Sequence, residues 1–410
     1  MACGHPSRQL GWYRRGVKVA IVYKRLADTG GSERQVALLV RRLVSRGDDV
    51  HVFCASTRGV SPDGITVHVM PRISLGRTWG LLAFSAWARR AVERVEARYG
   101  AFDVRHAFGR TVGQDVYRLG GGCHRSYLEQ AHALDRPAWM RPFLRRLPYQ
   151  LLKARIEELA LAPSPTRRII SNSSMIRDDL VFRYGIDPAT IRVVANGTDL
   201  DRFRPAAPGE RDEIRRELGV DGGDEVALFV GTGYARKGLD PTLRALSRLA
   251  RARPRLRLLV AGRDRRPRWW MALARDLHVE DRVLFLGPRP DPQRLYRAAD
   301  VFVLPTAYDP AANSTLEALA SGLPVVTSAA NGAAEILEPG RHGSVVPAPV
   351  HPGDVAEGLG TWLELGLTPD TSRRCRARAE QFPEEDSCAA ILEVYREVVA
   401  ARVGAGAEVP

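Results

Sequence analysis

The sequence predicts an α/β protein of two doubly wound, Rossmann-like domains facing a central cleft, and three observations carry that expectation. At 410 residues the chain exceeds the usual reach of one hydrophobic core. Short β-branched apolar runs alternate with segments whose apolar residues recur at helical spacing. The alternation breaks near residue 200 and then starts again.

Residues 1–16 are basic, without periodicity, and are expected to form a flexible tail. VKVAIVYK at 17–24 reads as a buried strand, and a Gly30-Gly31 turn leads into SERQVALLVRRLVSRG, a helix that stops at Gly47. DVHVFCAS, ITVHVM, FDVRHAF and RRIISNSS continue a parallel sheet. The first domain is expected over 17–200, ending at the linker IRVVANGTDLDRFRP. The second, 201–385, alternates the strands EVALFVGTG, LRLLVAG, RVLFLGP, VFVLPT and LPVVTS with helices beginning at LDPTLRAL, RPRWWMAL, DPQRLYRA and NSTLEALA. A final helix at 386–403 is free to return to the first domain, and 404–410, GAGAEVP, reads as a disordered end.

Composition narrows the class. The 45% apolar and 26% charged fractions are those of a globular protein, and the longest apolar run, WGLLAFSAWA, is too short to span a bilayer. The N-terminus lacks the apolar region of a secretory signal, so the expected location is the cytoplasm. Five cysteines without C-x-x-C spacing read as reduced thiols rather than a zinc site or disulfide framework. A net charge of +14 recruits phosphate, nucleic acid or anionic lipid, although an arginine-rich composition also follows from a GC-rich genome.

Ligands of open parallel sheets bind beyond the carboxyl ends of the strands. There, Gly231 and Gly233 lack the third glycine of a dinucleotide fingerprint, and Lys237 lies in ARKGL rather than in a Walker loop. Arg236 offers a planar fork and Lys237 a mobile point charge beside a helix start, a pair suited to a pyrophosphate or, more blandly, to a solvated basic turn. Asp309 and Glu317 stand eight apart across a strand-to-helix loop, where carboxylates accept hydrogen bonds from sugar hydroxyls or merely cap exposed ends. Asp199-Leu200-Asp201 spells a D-x-D metal motif but sits in the linker. Trp269-Trp270 among arginines suits nucleic-acid stacking no better than it suits a cleft wall. The N-x-[ST] triplets at Asn172, Asn196 and Asn313 read as structural.

In combination, GGSER, the ARKG loop, NGTDLDRF, the Asp309-x(7)-Glu317 motif of YDPAANSTLEALASGLPVVTS, and NGAAEIL resemble the retaining, nucleotide-sugar-dependent glycosyltransferases of GT-B fold, the glycosyl transferases group 1. FGRTVGQDVYRLGGGCHRSYLEQ is similar to the subgroup of lipopolysaccharide core glucosyltransferases I. The resemblance implies that Arg236 and Lys237 hold the diphosphate, Glu317 the ribose and Asp309 the transferred sugar. It also implies that Gly30, Gly31, Gly231 and Asn313 line the substrate site and that Asp115 lies near the reacting centre. Asp309 stands where the family usually has Glu, and His106 is a candidate for a strand-end histidine found in many relatives. The implied co-substrate is a nucleotide sugar, UDP-glucose, with no metal and no further cofactor. The implied partners are a lipid-anchored glycan acceptor and the anionic inner face of the plasma membrane, with no nucleic acid. RPAWMRPFLRRLPYQLLKAR at 136–155 interleaves aromatic and cationic residues and is the expected membrane contact. A nucleic-acid-binding α/β protein and a non-catalytic relative are the competing readings.

Overall fold

The computed structural model describes residues 16–27, 31–59, 63–71, 76–134 and 136–406. The N-terminal domain contains β1 (Lys18–Val22), β2 (Arg25–Ala27), β3 (Asp49–Cys54), β4 (Ser56–Arg58), β5 (Ile65–Val69), β6 (Val104–Ala107), β7 (Val116–Arg118), β8 (Arg168–Ser171) and β9 (Ile191–Val193). Seven of them form a parallel sheet in the order β5-β3-β1-β6-β7-β8-β9, while β2 pairs with β4. In β1, Val19 and Ile21 enter one hydrophobic cluster and Ala20 and Val22 another, because successive side chains leave a strand on opposite faces. A strand so buried requires helices on both sides of the sheet.

The C-terminal domain contains β10 (Glu225–Val230), β11 (Leu256–Ala261), β12 (Val283–Gly287), β13 (Val301–Leu304), β14 (Val325–Ser328) and β15 (Gly343–Val346), in the order β12-β11-β10-β13-β14-β15. Its helix Leu239–Leu249 buries Leu239, Leu243 and Leu246, spaced at three and four residues, against this sheet. Each such leucine stabilises the fold by roughly 1.5–3 kcal/mol. Strand order reverses between β1 and β6 and between β10 and β13, and each reversal opens a crevice at the carboxyl edge. The two crevices face one another.

The chain crosses between domains twice, side by side. Thr198 bridges Pro383, and a Cβ on Gly197 would lie 2.3 Å from the Glu384 Cα, so only glycine permits that approach. The helix expected over 386–403 spans Glu384–Gly406 and takes in 404–406 of the expected tail, while 407–410 and 1–15 lie outside the described residues. Its residues Cys388, Ile391, Leu392, Tyr395 and Val398 join a core cluster of the N-terminal domain. The apolar run WGLLAFSAWA belongs to the helix Gly76–Tyr99. Among the described residues no helix is long and apolar enough to cross a membrane.

Candidate active site

The ARKG loop follows β10. Gly233 and Gly238, at φ 78° and 86°, bracket the single turn Tyr234–Lys237, and a Cβ on Gly238 would lie 2.0 Å from the Pro305 carbonyl oxygen. This close approach packs the loop against the end of β13 and brings Lys237 and Arg236 onto Asp309. Lys237 is 8% exposed, with Nζ 2.8 Å from Asp309 Oδ2. Arg236 Nη1 donates to the same oxygen and to the Tyr308 carbonyl at 3.0 Å. Burial would raise the Asp309 pKa, but Lys237 and Arg236 outweigh it and hold the carboxyl below its usual range. Burial lowers the Lys237 pKa, with Asp309 opposing. The triad carries one net positive charge.

Glu317 lies in the second turn of the helix Asn313–Ala320 and accepts the Tyr296 hydroxyl at 2.8 Å. Burial raises its pKa, with the Tyr296 hydrogen bond and the Arg34 and Arg202 charges opposing. One cavity of about 730 Å³ runs past Glu317, Arg34, Arg202, Gly262 and Arg263. A second, of about 620 Å³, contains Arg236, Lys237, Asp309 and Gly231. Asn313 and Glu317 line both, so the two form a continuous cleft. A wall rich in cations, with Asp309 and Glu317 set among them, suits an anionic ligand bearing hydroxyl groups. Asn196 Nδ2 donates to Asn313 Oδ1 at 2.7 Å across the domains, which holds the cleft walls together.

The structure thus brings together Arg236, Lys237, Gly231, Asp309, Asn313 and Glu317. Gly31 begins the helix Gly31–Ser45, whose Glu33 and Gln35 line the cleft, and Gly30 lies outside the described residues. Asp115 is a correction. The loop after β6 doubles back, so Asp115 precedes β7 at the opposite edge of the sheet, where it accepts the Arg105 amide at 2.8 Å and pairs with Arg402 at 2.7 Å. His106 is fully buried beneath the final helix, with Nδ1 2.8 Å from the Tyr395 hydroxyl, and lines none of these cavities. Asp199 pairs with Arg34 at 2.6 Å and accepts the Arg202 amide at 2.9 Å.

The residue that sequence reasoning missed is His124. It follows the glycines of GGGCH after β7, is fully buried, lines the cleft with Lys237, and has both ring nitrogens unpartnered among the described residues. Burial first, then Lys153 and Arg110, draws its pKa down to about 3, so it meets a ligand as a neutral imidazole. The signal was present: GGGCH opens a helix after a strand, as GGSER does. Asn172, whose triplet reads as structural in the sequence, also faces the cleft from the end of β8, with Oδ1 unpartnered among the described residues.

Family profiles match both halves of the chain: Glycosyltransferase Family 4 over residues 29–202 and Glycosyl transferases group 1 over 210–382. D-inositol 3-phosphate glycosyltransferase of Acidothermus cellulolyticus is 32% identical, covering 92% of this chain and 87% of that one. The enzyme of the same name from Mycobacterium sp. (strain KMS) is 30% identical, covering 85% and 80%. Among solved structures, WaaG, a glycosyltransferase involved in lipopolysaccharide biosynthesis, superposes with a TM-score of 0.76 at 24% identity, covering 90% of this chain and 98% of that one. Anabaena HepE in complex with UDP-glucose gives 0.68 at 18%, covering 94% and 99%. At those identities the structures establish the architecture alone. The fold is therefore GT-B, and the chain is a glycosyltransferase that belongs to the glycosyl transferases group 1 family.

Proposed function

We propose that the protein transfers a hexose, glucose from UDP-glucose, with retention of configuration to a hydroxyl of an acceptor bound against the N-terminal domain. The observation that carries this is the Arg236–Lys237–Asp309 triad in one of two joined cavities, with Glu317 lining both. Arg236 and Lys237 receive the diphosphate, and their charge stabilises it as the glycosidic C–O bond breaks. Asp309, released from those cations, accepts hydroxyls of the transferred sugar, and Glu317 accepts those of the ribose. Neutral His124 positions a sugar hydroxyl without exchanging protons near neutral pH. The departing phosphate oxygen takes the acceptor proton on the face it leaves, so no protein nucleophile is required. The two cations stand in for a divalent ion, and catalysis is proposed to be metal-independent.

The acceptor reading favoured here is a lipid-linked envelope glycan of lipopolysaccharide-core type, met at the inner face of the membrane. It is supported by the surface of 136–155, where Trp139 is 71% and Phe143 68% exposed beside Arg141, Arg145 and Arg146. Lys153, expected in the same contact, instead lines the cleft. The names of the curated relatives favour a second acceptor, a phosphorylated cyclitol. The test is transfer of labelled glucose from UDP-glucose, in EDTA, onto envelope glycolipid or onto inositol phosphate, with the anomeric configuration read by NMR. Inverted product, faster transfer from UDP-galactose, or no transfer from any UDP-sugar would overturn the donor reading.

A further inference from the structure

Tyr308 belongs to the C-terminal domain by sequence and to the N-terminal domain by packing. It follows β13 and directly precedes Asp309. Although it borders the cleft, it is 2% exposed, within a hydrophobic cluster whose other buried members all come from the N-terminal domain. Its hydroxyl donates to the Cys123 carbonyl at 3.3 Å, a long bond, so the buried ring is most of the anchor. A Cβ on Gly122 would lie 2.5 Å from that hydroxyl and 2.7 Å from Pro310 Cγ, so a glycine is required at the rim of the socket.

Residues on both sides of Asp309 are thus tied to the other domain. The Ser173 hydroxyl donates to the Pro310 carbonyl at 2.7 Å, and Asn196 Nδ2 donates to the Ala311 carbonyl at 3.2 Å. Within its own domain the Asp309 amide donates to the Ala330 carbonyl at 2.9 Å, and its carbonyl accepts the Gly332 amide at 2.8 Å. Arg236 is braced by the same segment. Its Nη1 donates to the Tyr308 carbonyl at 3.0 Å, and its carbonyl accepts the Ala307 amide at 2.8 Å. A ring held in one domain therefore fixes the backbone that carries Asp309 and supports Arg236 in the other.

We propose that Tyr308 is a positioning residue: seated in the N-terminal domain, its ring sets Asp309 and Arg236 for sugar transfer, so that losing the ring slows turnover without weakening donor binding. The inference rests on reading the cleft as the donor site, with Asp309 against the transferred sugar.

The experiment measures transfer from UDP-glucose, calorimetric binding of UDP, and hydrogen exchange of the unliganded full chain, with melting recorded for every variant. Tyr308→Ala should lower kcat by about a hundredfold, the scale of a displacement of about 1 Å, and change UDP affinity by less than about threefold. Tyr308→Phe keeps the ring and should retain kcat within about threefold. Gly122→Ala crowds the ring from the other domain and should repeat the loss even if Tyr308→Ala fails to fold. In an Asp309→Asn background, Tyr308→Ala should cost about tenfold less than in the unaltered chain, because residues that act as a unit are not additive. The backbone amides of 307–312 should exchange about tenfold faster in Tyr308→Ala, a change that needs no donor. If that exchange result appears while the unaltered protein neither binds UDP nor transfers glucose, the donor reading fails and the seating of Asp309 by Tyr308 stands. Unchanged exchange over 307–312, undiminished kcat in folded Tyr308→Ala and Gly122→Ala, or equal losses in Tyr308→Phe and Tyr308→Ala overturns the proposal. So does a fall in UDP affinity as large as the fall in kcat, or a fully additive loss in the Asp309→Asn background.

Discussion

Replacing Lys237 by alanine isolates the electrostatic part of the mechanism. The ammonium is 8% exposed and fixed 2.8 Å from Asp309, so it is preorganised before donor arrives. As the glycosidic bond breaks, negative charge grows on the diphosphate. A unit charge pair about 4 Å apart at an effective dielectric of about 20 is worth roughly 4 kcal/mol. Loss of one preorganised donor typically costs about 2.7–4 kcal/mol, a roughly 10²- to 10³-fold fall in turnover, so two routes give the same size. The fold should survive, because Asp309 keeps Arg236 as its partner and is not left as a lone buried charge. The assay is initial-rate transfer from saturating UDP-glucose, with melting recorded on the same preparation. A kcat within about threefold of the unaltered enzyme, in a protein that melts normally, would refute the reasoning.

Other substitutions separate the remaining roles. Asp309→Asn removes the carboxylate that competes for Arg236 and Lys237, so UDP should bind about tenfold tighter while glucose transfer slows; weaker UDP binding would contradict the triad. Glu317→Gln should weaken UDP-glucose binding yet raise the melting temperature at pH 7. The sign follows from linkage: a folded-state pKa raised by burial makes the ionised carboxylate a cost at neutral pH, and that cost vanishes as pH falls through the raised value. The stabilisation should therefore disappear in acid, and a gain independent of pH would rule out this cause. EDTA should leave turnover unchanged, whereas an absolute magnesium requirement would return Asp199 and Asp201 to consideration as ligands. Glutamine at Arg141, Arg145 and Arg146 should release the protein from anionic vesicles at low salt without altering UDP affinity, and unchanged sedimentation would remove 136–155 as the membrane contact.

What the sequence reveals follows the range of the interaction involved. β1 and β10 were legible because burial on both faces leaves continuous apolar runs, and the helix Leu239–Leu249 because its leucines keep helical spacing. β7 and β9 are three residues each and were missed, since so short a run has no period to detect. The cations at 236 and 237 were legible as residue types after a strand, but their pairing with Asp309 is a contact across 73 positions. Asp115 was misplaced because the sequence does not show that the loop after β6 turns back to the far edge of the sheet. His106 was ambiguous for a related reason: its partner Tyr395 lies 289 positions away on a helix that returns from the other domain. His124 carried the strand-glycine-helix signal, yet its significance rests on burial without a partner, which only the packed structure displays.

The central claim is that Arg236 and Lys237 hold the diphosphate of a nucleotide sugar without a metal ion. Calorimetric titration of UDP, UMP and uridine in EDTA, repeated on Lys237→Ala, tests it most directly. UDP should bind far more tightly than UMP, because only its second phosphate reaches the triad, and Lys237→Ala should remove most of that difference while leaving uridine binding intact. Equal affinities for UDP and UMP, or a UDP preference that survives Lys237→Ala, would contradict it.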